Sequence, residues 1–88
     1  YNIASYSFLL HIIGALTNYT PRYFHHVIGN AHIYKNHISV VEKQLTRIPY
    51  SFPKLSLTEI TDIDSILESN FTMNNYHSHD KLCAEMVA

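Results

Sequence analysis

The chain has 88 residues, 47% hydrophobic and 15% charged, with a net charge of −1 when histidine is neutral. That length allows one domain or a piece of a larger one, and the lack of any excess of lysine and arginine argues against nucleic acid or an anionic membrane as partner. The single cysteine, Cys83, excludes an internal disulfide and fits a reducing, cytoplasmic setting.

A chain this short buries only about 60–65% of the surface it exposes when unfolded, so it is marginal alone. It opens at Tyr1 without an initiating Met and runs straight into an apolar segment, the pattern expected of a chain cut from something longer. No secretory signal is recognisable. The apolar stretch from Ile3 to Leu16 is broken by Ser5, Ser7 and His11 and falls short of the roughly 20 residues of a membrane span. The N-x-T triplets at Asn18 and Asn70 are read as chance.

Ile3 to Leu16 is predicted to be a helix, with Asn2 as its N-cap. Its apolar residues cover nearly every side, so it belongs in the middle of a larger core. Thr17 to Pro21 is a turn, since Asn18 tolerates turn geometry and Pro21 blocks a continuing helix.

Arg22 to Tyr34 is rich in aromatic and β-branched residues and is predicted to be a strand, bent near Gly29. Alternation puts Phe24, His26, Ile28, Asn30, His32 and Tyr34 on one face. Such a polar set inside an apolar strand is the kind that lines a pocket. A buried, internally satisfied His32 and Tyr34 is the other reading of the same spacing.

Asn36 is predicted to cap a second helix over 37–46, with Ile38, Val41 and Leu45 as its apolar stripe and Glu42, Lys43 and Gln44 facing water. Pro49 disfavours helical geometry at Ile48 and ends it. Phe52 to Leu57 is extended. Asp62 or Asp64 can cap a short helical turn reaching Leu67, and Phe71 to Tyr76 is a further strand. Residues 81–88 form a short tail, apolar at its end. No linker or repeat marks an internal domain boundary.

The seven histidines do not form a zinc pattern, since structural zinc needs four well-spaced Cys or His ligands and there is no second cysteine. No metal site is expected. Cys83, flanked by Leu82 and Ala84, has no adjacent histidine to lower its pKa and reads as packing, not as a nucleophile. Local sequence alone makes Asn2 a helix cap.

Taken together, the short words of this sequence point further. Residues 2–6, NIASY, resemble the FNIASY segment of thymidylate synthases. Residues 29–34 with Asn36 and His37 resemble that family's GDAHIYxNH. Gln44, Leu45, Arg47, Pro49 and residues 52–55 resemble its QLxRxPxxFPxL. Tyr76, His79 and residues 85–88 resemble its YxxH and chain end. The four matches are collinear and span essentially all 88 residues, which are therefore expected to be the C-terminal part of a thymidylate synthase domain.

The resemblance implies an α/β fold: a mixed sheet, a buried central helix and a surface amphipathic helix, in a homodimer whose sheets pack back to back. It implies the reductive methylation of deoxyuridylate to deoxythymidylate, with methylene-tetrahydrofolate as co-substrate. The nucleophilic cysteine, the phosphate-gripping arginines and an aspartate at the folate lie upstream of FNIASY in the family. No catalytic residue is therefore expected in this chain, and the isolated chain is expected to be inactive. Asn2 matches the asparagine that faces the uracil edge. His32 and Tyr34 match the pair that holds the deoxyribose hydroxyl, and Ile33 between them belongs to the same segment. Tyr1, where the family usually has Phe, and Met86, Val87 and Ala88 match folate contacts, the last three as a lid.

Asn30 in place of the usual Asp, the small terminal Ala88 and residues 47–50 look like the synthase domain of apicomplexan bifunctional dihydrofolate reductase–thymidylate synthases. An inactive remnant or a non-catalytic binding module is the competing class.

Overall fold

The structure, a computed structural model, describes residues 1–86. The first helix, α1, spans Asn2–Thr17. Tyr1 occupies the N-cap position and makes no side-chain cap bond. Its carbonyl instead accepts from the Ser5 amide at 2.9 Å and the Ser5 hydroxyl at 3.1 Å. The predicted cap is thus corrected: Asn2 is the first helical residue, because the Tyr1 carbonyl closes the first turn. Among the described residues the Asn2 amide makes no hydrogen bond and is free to act elsewhere.

The helix stops at Asn18, which adopts left-handed geometry with φ 59° and ψ 29°. The Tyr19 amide donates back to the Gly14 carbonyl at 3.0 Å, the six-to-one bond of a left-handed helix stop. The chain then folds so tightly over the helix that a Cβ on Gly14 would lie 2.8 Å from the Tyr19 carbonyl oxygen. Only glycine fits there without a shift.

The predicted burial of α1 is not met within this chain. Only Gly14 is buried, and Ile3, Tyr6, Leu9 and Ile13 stay exposed. One side is covered: Phe8 meets Phe71 with ring centroids 4.6 Å apart. Among the described residues the other sides stay largely uncovered.

The predicted strand over 22–34 is also corrected. The stretch is extended but pairs with no strand among the described residues, and 22–36 are exposed throughout. The expected alternation is present. Tyr23 and His25 rings lie 6.0 Å apart, and Phe24 and His26 stack at 6.1 Å, so neighbours two apart share a face. What is missing is a partner for the backbone, since a strand needs a ladder to satisfy its amides and carbonyls. The face expected to be apolar, opposite His32, is uncovered too, with Ile33 59% exposed.

A tight turn over Lys35–His37 leads directly into α2, Ile38–Leu45. The His37 amide donates to the Tyr34 carbonyl at 2.9 Å, so the turn starts the helix by backbone bonding and Asn36 is not the cap. As predicted, α2 is amphipathic. Its C-terminus is closed by Thr46, whose hydroxyl donates to the Lys43 carbonyl at 2.7 Å.

Strands β1, Lys54–Leu57, and β2, Phe71–Asn74, pair antiparallel, with Leu55 opposite Met73 and Leu57 opposite Phe71. β2 falls inside a predicted strand and β1 inside a segment predicted to be extended, but the predicted mixed sheet is reduced to this pair among the described residues. Asn74 donates to the Ser56 hydroxyl at 2.9 Å. Asn70 ties the entry to β2: its Nδ2 donates to the Thr58 hydroxyl at 2.8 Å and its Oδ1 accepts from the Leu67 amide at 2.7 Å. Between the strands, the Asp62 carboxylate accepts from the Asp64 amide at 3.3 Å, the cap expected of one of these two. Ile60, 7% exposed, is the buried hydrophobic side chain of the described residues.

The accessible surface is 8355 Å², against about 5,300 Å² for a self-contained globule of this mass. The radius of gyration is 16.8 Å, where a compact domain of this length has about 12 Å. The excess of about 3,000 Å² is the size of an obligate interface. No helix of the described residues is long and apolar enough to cross a membrane.

Candidate functional site

The polar residues singled out in the sequence sit on the least covered part of the chain. The first turn of α1 and the extended stretch enclose a cleft of about 420 Å³ lined by Tyr1, Asn2, Ile3 and His26. The free Asn2 amide lines this cleft, carrying both a donor and an acceptor. A neighbouring cleft of about 570 Å³ runs from Tyr1 along Ile3 and Phe8 to Phe52, Leu55 and Met73. Its wall is apolar with an aromatic rim.

His32 and Tyr34 meet edge to face, centroids 5.5 Å apart. His32 Nδ1 lies 3.0 Å from the Asn30 carbonyl oxygen. A carbonyl only accepts, so Nδ1 carries the hydrogen and the neutral ring presents Nε2 as an acceptor. The Tyr34 hydroxyl has no partner among the described residues. An acceptor nitrogen beside a phenol suits one alcohol group, which donates to the first and accepts from the second. Ile33 lies between them in sequence and is exposed.

The structure does not gather all the predicted residues. Asn2 and the His32–Tyr34 pair share none of these clefts. Met86 is 96% exposed and lines neither cleft that Tyr1 lines. Val87 and Ala88 lie outside the described residues. Cys83 is free and exposed. Among the described residues no three His, Cys, Asp or Glu side chains come together as a metal site.

A second polar junction went unread in the sequence. Arg47 donates to the Asp80 carbonyl at 2.8 Å, and His79 Nε2 lies 2.8 Å from the Ile48 carbonyl while Tyr50 stacks on its ring at 4.5 Å. Gln44, Pro49 and Leu82 complete a cleft of about 480 Å³ there. His37 adds a third tie, with Nε2 2.6 Å from the Glu85 carbonyl. Histidines spaced 31 to 48 residues from their partners give no local signal. The only sequence hint was their place inside the motif words.

The chain is an α/β piece with open apolar faces. The thymidylate synthase family matches residues 1–88, and the chain belongs to that family. It is 46% identical over 89 residues to the bifunctional dihydrofolate reductase–thymidylate synthase of Plasmodium chabaudi, covering 100% of this chain and 15% of that protein. It is 42% identical to the thymidylate synthase of equine herpesvirus 2, over 99% of this chain and 30% of the viral protein. The Saccharomyces cerevisiae thymidylate synthase is 37% identical over 98% of this chain and 29% of the yeast protein. The chain thus spans less than a third of each of these relatives.

Proposed function

We propose that residues 1–88 form the C-terminal part of a thymidylate synthase domain and furnish uracil, deoxyribose and folate contacts for converting deoxyuridylate to deoxythymidylate. The match of the whole chain to the family carries this reading. The about 3,000 Å² of excess surface supports it, because the rest of the domain and a second copy in a cytoplasmic homodimer would cover it. Likeness to a bifunctional relative supports a reductase domain in the same polypeptide.

In this reaction a methylene group passes from methylene-tetrahydrofolate to the pyrimidine ring and is reduced to a methyl group, leaving dihydrofolate. A cysteine thiolate from the missing part of the domain adds to the ring and makes the adjacent carbon nucleophilic. The residues of this chain bind and orient. Asn2 reads the base: its NH₂ donates to a uracil carbonyl and its C=O accepts from the ring N–H. Cytosine presents the reverse pair, which leaves buried groups unpaired at about 1–3 kcal/mol each. His32 Nε2 and the Tyr34 hydroxyl hold the sugar hydroxyl, and Ile33 spaces them. Tyr1 and the apolar cleft behind it take the folate ring, and residues 86–88 close over it and exclude water.

The test is the binding of deoxyuridylate and deoxycytidylate to full-length Asn2→Asp, His32→Ala and Tyr34→Phe variants. Asn2→Asp should shift the ratio of the two affinities. The other two should weaken both nucleotides alike, because the sugar carries no base information. An unchanged ratio in Asn2→Asp rejects the base-reading role.

A further inference from the structure

The C-terminal tail has one tie to the nucleotide-facing segment, and it runs through a residue to which the function above gives no task. Arg47 and His79 fix the chain as far as Asp80. Beyond that, among the described residues, the only hydrogen bond that holds 81–86 is His37 Nε2 to the Glu85 carbonyl, at 2.6 Å. His37 is itself tied to Tyr34 twice. Its amide donates to the Tyr34 carbonyl at 2.9 Å, and its ring meets the Tyr34 ring edge to face at 5.5 Å. Tyr34 in turn packs on His32. His37 is half-buried in a stretch whose neighbours on both sides are exposed.

We propose that His37 is a positioning residue that pins the tail at Glu85 and couples it to the sugar-holding pair, so that a bound nucleotide steadies the tail. This rests on the reading that Tyr34 touches the deoxyribose and that the residues after Glu85 cap the folate. The chemistry asks little of the imidazole. The Glu85 carbonyl can only accept, so Nε2 carries the hydrogen, and no proton is moved. The bond fixes a backbone carbonyl one residue before Met86, where a small displacement would carry the whole cap with it. A sugar hydroxyl held by Tyr34 limits the motion of the ring against which His37 rests.

The test uses the full-length protein, with tetrahydrofolate as probe because it has no methylene to transfer and does not turn over. In His37→Ala, deoxyuridylate alone should bind within about twofold of the unaltered protein. Tetrahydrofolate should bind the nucleotide complex about three- to tenfold more weakly, the worth of one hydrogen bond. His37→Gln, whose amide can donate to the same carbonyl, should recover most of that loss. Unchanged tetrahydrofolate affinity in His37→Ala overturns the proposal, and so does a loss in His37→Gln as large as in His37→Ala. Removal of residues 86–88 separates the two readings. If it leaves tetrahydrofolate binding intact, the cap reading falls and the pin with it. If it weakens binding while His37→Ala is silent, only the pin falls. Should His37→Ala not fold, carboxypeptidase digestion of the unaltered protein decides. Deoxyuridylate should slow release of the residues after Glu85 several-fold, and equal rates with and without it overturn the coupling.

Discussion

Residues 54–74 and residues 22–34 are both written in strand-forming language, and they fare differently. The first region closes on itself. Lys54–Leu57 finds Phe71–Asn74 within 21 residues, Asn70 and Asn74 satisfy the connections, and Ile60, in the segment that joins the strands, is buried. The second is extended, alternates its side chains as a strand does, and pairs with nothing among the described residues. The first region holds structure from its own contacts. The second leaves its backbone hydrogen-bonding groups unpaired by any strand among the described residues, and it carries His32 and Tyr34, the pair proposed to hold the sugar. Sites tend to sit where a fold leaves polar groups unspent.

The strongest way to break this contrast is to separate the chain from its relatives' remaining length. The isolated 88 residues should give no deoxythymidylate from deoxyuridylate and methylene-tetrahydrofolate, since Cys83 is exposed and far in sequence from Asn2, the residue proposed to read the base. Hydrogen exchange on the same sample should show 22–34 exchanging almost freely and the amides of the β1–β2 ladder more slowly. In the full-length protein both regions should be protected. Turnover by the isolated chain, or protection of 22–34 in it, refutes the division.

Asn2→Asp sharpens the functional side. The ratio of deoxyuridylate to deoxycytidylate affinity should fall about tenfold to more than a hundredfold, from about 1–3 kcal/mol per mismatched bond. Gly14→Ala probes the uncovered helix at its tight approach to the chain that follows, where an added Cβ would lie 2.8 Å from the Tyr19 carbonyl and 3.0 Å from the Pro21 ring. It should destabilise the full-length protein by about 1–3 kcal/mol, read as a lower urea midpoint, because a methyl there forces the backbone apart. Asn70→Ala is expected to be the mildest, at about 1–2 kcal/mol by the same measurement, from leaving the Leu67 amide and Thr58 hydroxyl without their partner.

Much of the chain was legible because its signals are local. Apolar spacing gave α1 and α2, Pro21 and Pro49 gave their limits, β2 falls inside a predicted strand and β1 inside a segment predicted to be extended. The cap at Asn2 was misread because Ser and Asn propensities say nothing about which carbonyl closes the first turn; here the Tyr1 carbonyl does so. The strand at 22–34 was legible in its side-chain alternation and not in its pairing, since a ladder depends on residues elsewhere. His37 escaped notice because its partner is 48 residues away and is a backbone carbonyl, which leaves no trace in side-chain type. Asn2, His32 and Tyr34 stood out only once the motif words were read together.

The placement of Asn2 as the first residue of α1 has an electrical consequence. Sixteen aligned peptide units put a partial positive charge of about half an elementary unit at that end, and no acidic side chain in the first turn offsets it. In the proposed complex a neutral amide there would meet a uracil carbonyl in a field that favours the carbonyl's negative end. An aspartate at position 2 would lie in the same field, which favours its ionised form by about 0.3–1 kcal/mol. Only the protonated acid can donate to the cytosine ring nitrogen while accepting from its amine. The gain in deoxycytidylate affinity from Asn2→Asp should therefore grow as the pH falls through the carboxyl's titration, so the helix sets how acidic the solution must be before the variant reads the other base.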